Sequence, residues 1–292
     1  MIKNKRLQNN RTAIRIASLF LLYLLLPSSQ AYAAPVEDEA FFYKPKNHVE
    51  VAGTFEHLKP QETYGDWKTG RIQFSRDESP SSSWFVGYSK YDRKNDGRGQ
   101  QFEAGTYIDW TDSFYTYTGV STGSNCTFLP KLRIDQDFNF KFGSKKDLVW
   151  TIGDSYIEDY GSDATETGKQ SFNTISTGLT YYSQMWNYGY RVFRNVSHPG
   201  SLVSYSHLFS IGYGKEGKYM TSLSYTFGKE AVLDTQAYPF ISDSNDSKLV
   251  TLNHRRWLGL SHDYGYFTEI SWLDVENGYR SVGCEIGIFK DF

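Results

Sequence analysis

The chain has 292 residues, with 31 basic and 33 acidic side chains, a negative mean hydropathy and an aromatic content of 17 %. This balance lacks the excess of positive charge that marks nucleic-acid-binding proteins. Two cysteines, Cys126 and Cys284, are too few for a disulfide framework, and the sequence leaves their pairing open.

The first 33 residues are typical of a signal peptide. Five basic residues and no acidic one accompany a short apolar run over residues 17–26, and Ala31-Tyr32-Ala33 forms a small-x-small cleavage site. The run is short for a membrane span, so an uncleaved anchor is the weaker alternative. We therefore expect export in a Gram-negative bacterium and a mature chain from Ala34, with residues 34–46 as an N-terminal periplasmic segment. Because the leader holds five basic and no acidic residues, the mature chain carries a net charge of −7.

Residues 131–142 show the pattern that recurs along the rest of the chain. One set of alternate positions is mostly apolar: Leu132, Ile134, Gln136, Phe138, Phe140 and Phe142. The intervening positions are polar or charged: Lys131, Arg133, Asp135, Asp137, Asn139 and Lys141. A period of two predicts a β-strand with one apolar face and one polar, mostly charged face. Gln136 interrupts the greasy face, and a β-bulge there would explain it.

The same alternation predicts 14 strands, with 12 as the alternative count. Their expected ranges are 47–58, 66–77, 82–92, 99–110, 112–121, 128–142, 146–159, 168–182, 184–194, 202–213, 217–229, 247–258, 264–273 and 279–291. Short connections alternate with longer polar ones, as in an outer-membrane barrel with short periplasmic turns and longer extracellular loops. We therefore predict an all-β fold: one antiparallel up-and-down transmembrane β-barrel over residues 47–292, whose greasy faces meet lipid. A secreted or periplasmic β-protein is the alternative.

Two further features favour the membrane barrel. Large aromatic residues lie near strand ends, as in the aromatic girdles of outer-membrane barrels: Trp110, Trp150, Tyr156, Trp186, Trp257 and Trp272. The last predicted strand alternates and ends at the aromatic Phe292, which resembles the signal that the bacterial barrel-assembly machinery recognises. Lys290 interrupts the apolar face of that strand.

The ionised faces supply the candidate lumen. The expected inward-facing residues are Glu103, Asp109, Arg133, Asp135, Asp137, Asn139, Lys141, Asn187, Arg191, Asn253 and Arg255. Two interpretations remain open: a polar passage for a hydrophilic solute, and a plug of ion pairs in a barrel too narrow to conduct. Because both signs of charge are present, no preference for anions or cations follows.

Catalytic and metal chemistry is weakly indicated. A lipase-like site needs a serine and a histidine on the same strand face, but His207 and its neighbours Ser206 and Ser210 are an odd number of residues apart. Acidic pairs such as Glu158-Asp159 could hold Ca²⁺ only weakly. We therefore expect no enzyme activity, no metal and no cofactor.

Several stretches together resemble the YaiO family of outer-membrane β-barrel proteins. They are residues 91–110, 132–140, 153–160, 249–256 and 264–274, followed by a last strand to Phe292. The resemblance implies outer-membrane location, a single barrel and a part in exporting or handling a surface polysaccharide. It supplies no catalytic residue.

Three functions follow as hypotheses. The first is a non-enzymatic barrel that passes or handles a surface polysaccharide or another hydrophilic solute. The second is an outer-membrane lipid-modifying acyl-hydrolase that uses His207 or His254. The third is a structural or adhesive barrel that acts through its long loops, above all Glu230–Asp246. The expected partners are outer-membrane lipids and lipopolysaccharide, the barrel-assembly machinery, and a polysaccharide or its biosynthetic enzymes, but no nucleic acid.

Overall fold

A computed structural model describes residues 46–126, 128–159, 171–198, 201–229, 245–259 and 261–292. The proposed signal peptide, residues 34–45 and most of the Glu230–Asp246 loop lie outside these ranges. Within them, no helix is long and apolar enough to cross a membrane.

Fourteen strands and one single-turn helix make up the described fold. The helix, α1, spans Gln61–Tyr64. The strands are β1 Lys46–Lys59, β2 Asp66–Ser79, β3 Ser82–Arg93, β4 Gly97–Thr111, β5 Phe114–Gly123, β6 Leu132–Phe142, β7 Leu148–Glu158, β8 Ser171–Ser183, β9 Trp186–His198, β10 Leu202–Lys215, β11 Tyr219–Lys229, β12 Asp246–Leu258, β13 Tyr264–Val275 and β14 Arg280–Asp291. The predicted count of 14 is confirmed, and the alternative of 12 is wrong.

Each strand pairs antiparallel with its neighbours in sequence, and β14 returns to pair with β1. That closing ladder runs from His48 opposite Asp291 to Lys59 opposite Arg280. Closure leaves no sheet edge, so every strand has hydrogen-bonding partners on both sides, which is the condition for a sheet to lie in lipid.

The two ends of the barrel differ. The end with the short connections also holds the start of β1 and the end of β14, and we call it the turn end. The opposite loop end holds the connections 60–65, 94–96, 124–131, 159–170, 199–201, 230–245 and 276–279. In bacterial outer-membrane barrels the short turns face the periplasm.

The β6 strand shows how the two faces are used. On its greasy face Ile134, Phe138 and Phe142 are 41–46 % exposed, whereas Asn139 and Lys141 on the other face are buried. Phe140 is only half-buried rather than fully exposed, because its ring packs 5.0 Å from Phe114. The outer surface of the barrel is therefore apolar.

The suspected bulge at Gln136 is wrong. Residues of β6 pair without a register shift with both β5 and β7. Gln136 is instead satisfied on the outer face: its Nε2 donates to the carbonyl of Tyr117 at 2.8 Å, and Thr118 Oγ1 donates to its Oε1 at 2.6 Å. A paired amide can occupy a lipid-facing position because its polar atoms need no water.

The interior holds two apolar clusters, one near each end. The loop-end cluster contains Leu58, Trp67, Leu249, Leu273, Val275 and Tyr279, with Tyr64 of α1 packed against it. The turn-end cluster contains Ala52, Met220, Trp257, Phe267 and Phe289. The sequence placed Trp257 in the outer aromatic girdle. This prediction is wrong, because the side chain points inward and packs in the turn-end cluster. Trp110, Trp150, Trp186 and Trp272 are exposed on the outside.

Candidate functional site

The inner wall along β6 carries the predicted row of charges. Arg133 Nε donates to Asp135 Oδ2 at 2.8 Å, and Ser155 Oγ donates to Asp135 Oδ1 at 2.5 Å. Nearer the turn end, Lys141 Nζ lies 3.5 Å from Asp109 Oδ1. Asp135 and Asp137 are only half-buried, where burial was expected. The charges are thus matched along the wall.

One ion pair spans several strands. Arg191 of β9 donates to both carboxylate oxygens of Asp137 on β6, at 2.6 and 3.2 Å, and also to Ser176 Oγ. The side chain crosses Gly178 and Gly153; a Cβ on Gly153 would lie 2.0 Å from Arg191 Nη2. The two glycines therefore leave the space through which the guanidinium reaches β6.

The remaining predicted residues lie apart from that pair. The carboxylate of Glu103 covers Gly87, where a Cβ would lie 2.4 Å from Glu103 Oε1. Asn187 covers Gly212 in the same manner and is buried. Asn139 Oδ1 accepts from Thr151 at 2.7 Å.

A second charged group occupies the opposite wall, on β1, β2, β12 and β14. Glu50, which is 5 % exposed, accepts from Arg71 and Arg255 at 2.7 Å each. Arg71 also donates to Glu285 Oε1 at 3.1 Å. Arg255 therefore lies apart from the charges of β6, and Asn253 hydrogen bonds Glu269.

Sequence reasoning missed Glu50, Arg71 and Glu285 as lumen residues. Each has the inward parity of its strand, since Ala52, Trp67 and Phe289 point the same way and are buried. Their alternate positions along the strands could have identified them as inward-facing. That alternation does not show which residues of distant strands contact each other.

An aromatic surface faces the lumen in the turn-end half of β3 to β5. We call Phe85, Tyr107, Tyr115 and Tyr117 the tyrosine patch; all four are half-buried. Tyr107 and Tyr117 have ring centroids 4.7 Å apart, and Phe85 and Tyr117 lie 6.5 Å apart with planes only 3° from parallel. Lys141 Nζ lies 4.8 Å from the Tyr115 ring centroid. The patch thus combines accessible rings and phenol groups with adjacent ionised residues.

Glycines also shape this surface. A Cβ on Gly105 would lie 2.4 Å from the Phe85 ring, and one on Gly119 would lie 2.4 Å from the Tyr117 hydroxyl. Each aromatic side chain therefore occupies the space above a glycine and leans along the wall.

At the membrane edge of β14, Lys290 forms an ion pair with Asp263 of the β12–β13 turn. The hydrogen bond from Lys290 lowers the pKa of Asp263 below its usual value. This contact accounts for a cation on the otherwise apolar face of the last strand, because the ammonium group reaches out of the lipid-facing band to a turn.

The proposed catalytic histidines have aromatic partners. His207 Nδ1 lies 3.0 Å from the Tyr190 hydroxyl, and its ring stacks on Phe227 at 5.2 Å. His254 Nε2 lies 3.2 Å from the Tyr266 hydroxyl. In the described ranges no serine hydroxyl lies within hydrogen-bond distance of His207. A serine–histidine contact does occur between Ser201 and His198 at the loop end, but at 3.5 Å it is at the limit of a hydrogen bond.

Metal and thiol chemistry adds no further site. Among the described side chains, no three His, Cys, Asp or Glu residues cluster as a metal ion would require. Cys126 and Cys284 are both free thiols.

Comparison with solved structures identifies the fold. The CymD monoaromatic hydrocarbon channel aligns with a TM-score of 0.52 at 6 % identity, over 85 % of this chain and 88 % of that one. A Pseudomonas aeruginosa FadL homologue aligns with a TM-score of 0.50 at 9 % identity, over 87 % and 91 %. The anion-selective porin from Comamonas acidovorans gives 0.46 at 10 % identity, over 85 % and 99 %. At these identities the first two alignments show a similar barrel fold and nothing further.

Comparison with protein families identifies the family to which the sequence belongs. No curated protein matches it. A family model described as the YaiO membrane beta barrel domain matches residues 46–233, from the first residue of β1 to just beyond β11. Together with the closed barrel and its apolar outer face, this match places the protein among membrane barrels of the outer-membrane type. The chain belongs to the YaiO membrane beta barrel family.

Proposed function

We propose that this protein is a non-enzymatic outer-membrane barrel that handles a surface polysaccharide or another hydrophilic solute on its inner wall. The observation that carries the proposal is the tyrosine patch beside the matched charges of β6. Aromatic rings pack on the apolar faces of sugar rings, while phenol, carboxylate and ammonium groups hydrogen bond to sugar hydroxyls. A wall that carries both aromatic rings and hydrogen-bonding groups is therefore suited to a polyhydroxylated solute.

Paired charges support handling without strong selection by charge. Arg191 with Asp137, Arg133 with Asp135, and Lys141 with Asp109 each bring one positive and one negative group together. The electrostatic fields of paired opposite charges largely cancel at a distance of several ångströms. The wall therefore exerts little net attraction or repulsion on a solute.

Binding of oligosaccharides by the purified barrel tests the proposal. Maltohexaose and an oligogalacturonate serve as neutral and acidic probes in titration calorimetry. We expect the double variant Tyr107→Ala/Tyr117→Ala to weaken binding by about tenfold or more, because each lost ring contact contributes about 1 kcal/mol. Tyr188→Ala, which removes an exposed tyrosine of the outer face, is the matched control. Equal binding by all three proteins, or none by the wild type, would reject glycan handling at this wall.

Planar-bilayer recordings separate passage from docking. Steps of ion current that oligosaccharide blocks would support passage through the lumen. An electrically silent barrel that still binds the probes would restrict the function to docking.

Assembly and partners are part of the same proposal. The outward residues of β14, Val282, Ile286 and Ile288, are 55–65 % exposed. These features support recognition of the last strand by the barrel-assembly machinery and contact with outer-membrane lipids and lipopolysaccharide. Export by the 1–33 signal peptide and action with polysaccharide biosynthetic enzymes stay predictions.

No described contact favours the acyl-hydrolase, since His207 is held between aromatic rings on the outer face. An unchanged lipid A mass profile after deletion of the gene would argue against it independently. The adhesive hypothesis depends on the Glu230–Asp246 loop, most of which lies outside the described residues. Binding of cells or matrix that survives removal of that loop would reject it.

A further inference from the structure

Part of the loop end is filled by its own connection between β5 and β6. Phe128 and Leu129 of this connection are only 2 % and 3 % exposed. They fit because two neighbouring strand positions lack a side chain: a Cβ on Gly99 would lie 2.7 Å from Leu129 Cδ1, and one on Gly123 would lie 2.6 Å from Leu129 Cβ. The two glycines thus leave space for an inserted apolar segment. Alternation alone predicted that β6 would begin at Phe128, whereas the strand begins at Leu132.

Beneath this segment lies a buried cation. The guanidinium carbon of Arg93 is 3.8 Å from the ring centroid of Trp67 and 4.2 Å from that of Phe128, and the residue is 5 % exposed. Its Nη1 is buried without a hydrogen-bond partner. Among the described residues no carboxylate lies within ion-pair distance of Arg93, and Glu56 supplies the strongest nearby negative charge. A buried guanidinium with an unused donor is costly unless something accepts from it.

Arg93 lines a small, partly open crevice that contains a second guanidinium, that of Arg133. Its other lining residues are Tyr91, Gln101, Phe128, Leu129, Pro130 and Arg133. The Tyr91 hydroxyl donates to Gln101 Oε1 at 2.9 Å, so the amide group of Gln101 remains a donor. The polar groups that the crevice presents are therefore mainly donors. Of its two guanidinium groups, that of Arg133 is ion-paired with Asp135 at 2.8 Å, whereas that of Arg93 has no ion pair among the described residues.

We propose that this crevice binds an oxyanion, either the carboxylate of an acidic sugar or a phosphate group. An arginine held between two rings has little rotamer freedom left to lose, and its planar fork matches carboxylate and phosphate oxygens. The aromatic and proline surface of the crevice can pack against the carbon skeleton that carries the charge. The site lies at the loop end, away from the tyrosine patch, and does not depend on the proposed function of that patch.

Titration calorimetry on the purified full-length barrel tests the site with sodium glucuronate, inorganic phosphate and glucose. We expect one equivalent of glucuronate or phosphate to bind at the crevice, and glucose not to bind there; any binding of glucose at the tyrosine patch is removed in the Tyr107→Ala/Tyr117→Ala variant. Arg93→Met keeps much of the apolar contact but removes the charge, and we expect it to weaken binding by about tenfold or more. Arg93→Lys keeps the charge but loses the planar fork, so we expect an intermediate affinity.

Controls separate the site from the fold. Arg98→Gln removes a positive charge from the same end of the barrel, where its side chain is 77 % exposed and pairs with Asp92, and should leave binding unchanged. Arg133→Gln changes the opposite wall of the crevice and should weaken binding even if Arg93→Met fails to fold, as judged by circular dichroism. The Tyr107→Ala/Tyr117→Ala variant should bind glucuronate and phosphate as the wild type does, which distinguishes this site from the tyrosine patch.

The probes also assign the source of the charge. Binding of glucuronate alone assigns the crevice to an acidic sugar, and binding of phosphate alone assigns it to a phosphorylated ligand. The proposal is overturned if the wild type binds neither probe at a concentration of about 10 mM, which would detect a dissociation constant in the millimolar range. It is equally overturned if glucose binds the Tyr107→Ala/Tyr117→Ala variant as well as glucuronate does, or if Arg93→Met and Arg133→Gln both fold and retain full affinity.

Discussion

Arg191 and Asp137 form a two-armed ion pair between β9 and β6, across the two intervening strands β7 and β8. Strands in a sheet lie about 4.8 Å apart, so the contact covers about three such spacings. A long side chain reaches that far only if it lies along the wall, and Gly153 and Gly178 leave room for it. The pair therefore depends on four strands at once.

The strength of this pair is measurable by a double-mutant cycle with Asp137→Asn and Arg191→Gln. Both side chains are about a quarter exposed, so solvent screening weakens their attraction. We expect a coupling energy of about 1 kcal/mol, at the upper end for partly exposed pairs. Urea unfolding in lipid vesicles gives the four free energies required. A coupling energy indistinguishable from zero would show that the ion pair does not stabilise the folded barrel.

Gly153 is expected to be intolerant of even one methyl group. Gly153→Ala would place a Cβ 2.0 Å from Arg191 Nη2 and 2.3 Å from Asp137 Oδ1, so the ion pair must move away. We expect a loss of about 1–2 kcal/mol in the free energy of unfolding.

Gly70→Ala is the matched control, because a Cβ at this outward position of β2 meets nothing within 4 Å. It should instead raise stability by up to about 0.5–1 kcal/mol, since alanine loses less backbone entropy on folding than glycine. Equal effects of the two changes would contradict the role assigned to Gly153.

Much of the fold could be predicted from the sequence because alternation is a local property. Strand count, the faces of β6 and the short turns all follow from a period of two and from turn residues within a few positions. The departures arise where a local pattern meets a distant partner. Gln136 needs no bulge because Thr118 and the Tyr117 carbonyl satisfy it, and Trp257 turns inward because Phe289 packs against it.

The candidate site was less predictable because its contacts join distant residues. Arg191 and Asp137 are 54 residues apart, and Arg255 and Glu50 are 205 apart. Parity limits which side chains face the lumen but does not give the register around the barrel. The inward glycines were a usable signal, since a strand position without a side chain indicates that something else approaches closely there.

Glu50 is expected to be the most sensitive charge in the lumen. Glu50→Gln keeps the shape of the side chain but leaves Arg71 and Arg255 without their shared carboxylate in a buried setting. Removing one partner of a buried ion pair costs about 3–5 kcal/mol, and we expect a loss toward the lower end because Arg71 keeps Glu285. Unfolding in lipid vesicles measures it.

Glu78→Gln is the control for charge removal, since Glu78 pairs with Arg76 near the turn end with half of its side chain exposed. Exposed pairs contribute only about 0–1 kcal/mol, so this change should have little effect. Similar losses for the two variants would show that the environment of Glu50 is not the buried one described.

The last prediction concerns lipid contact along β6. Phe138 lies near the middle of the strand and Phe142 at its turn end, and the two are similarly exposed, at 41 % and 46 %. An arginine on the lipid face costs about 2–4 kcal/mol at the bilayer midplane but only about 0–1 kcal/mol near the interface. Phe138→Arg should therefore destabilise the barrel in vesicles far more than Phe142→Arg, because only at Phe142 can the guanidinium reach water. Equal costs would mean that the greasy face of β6 is not in contact with the hydrocarbon core.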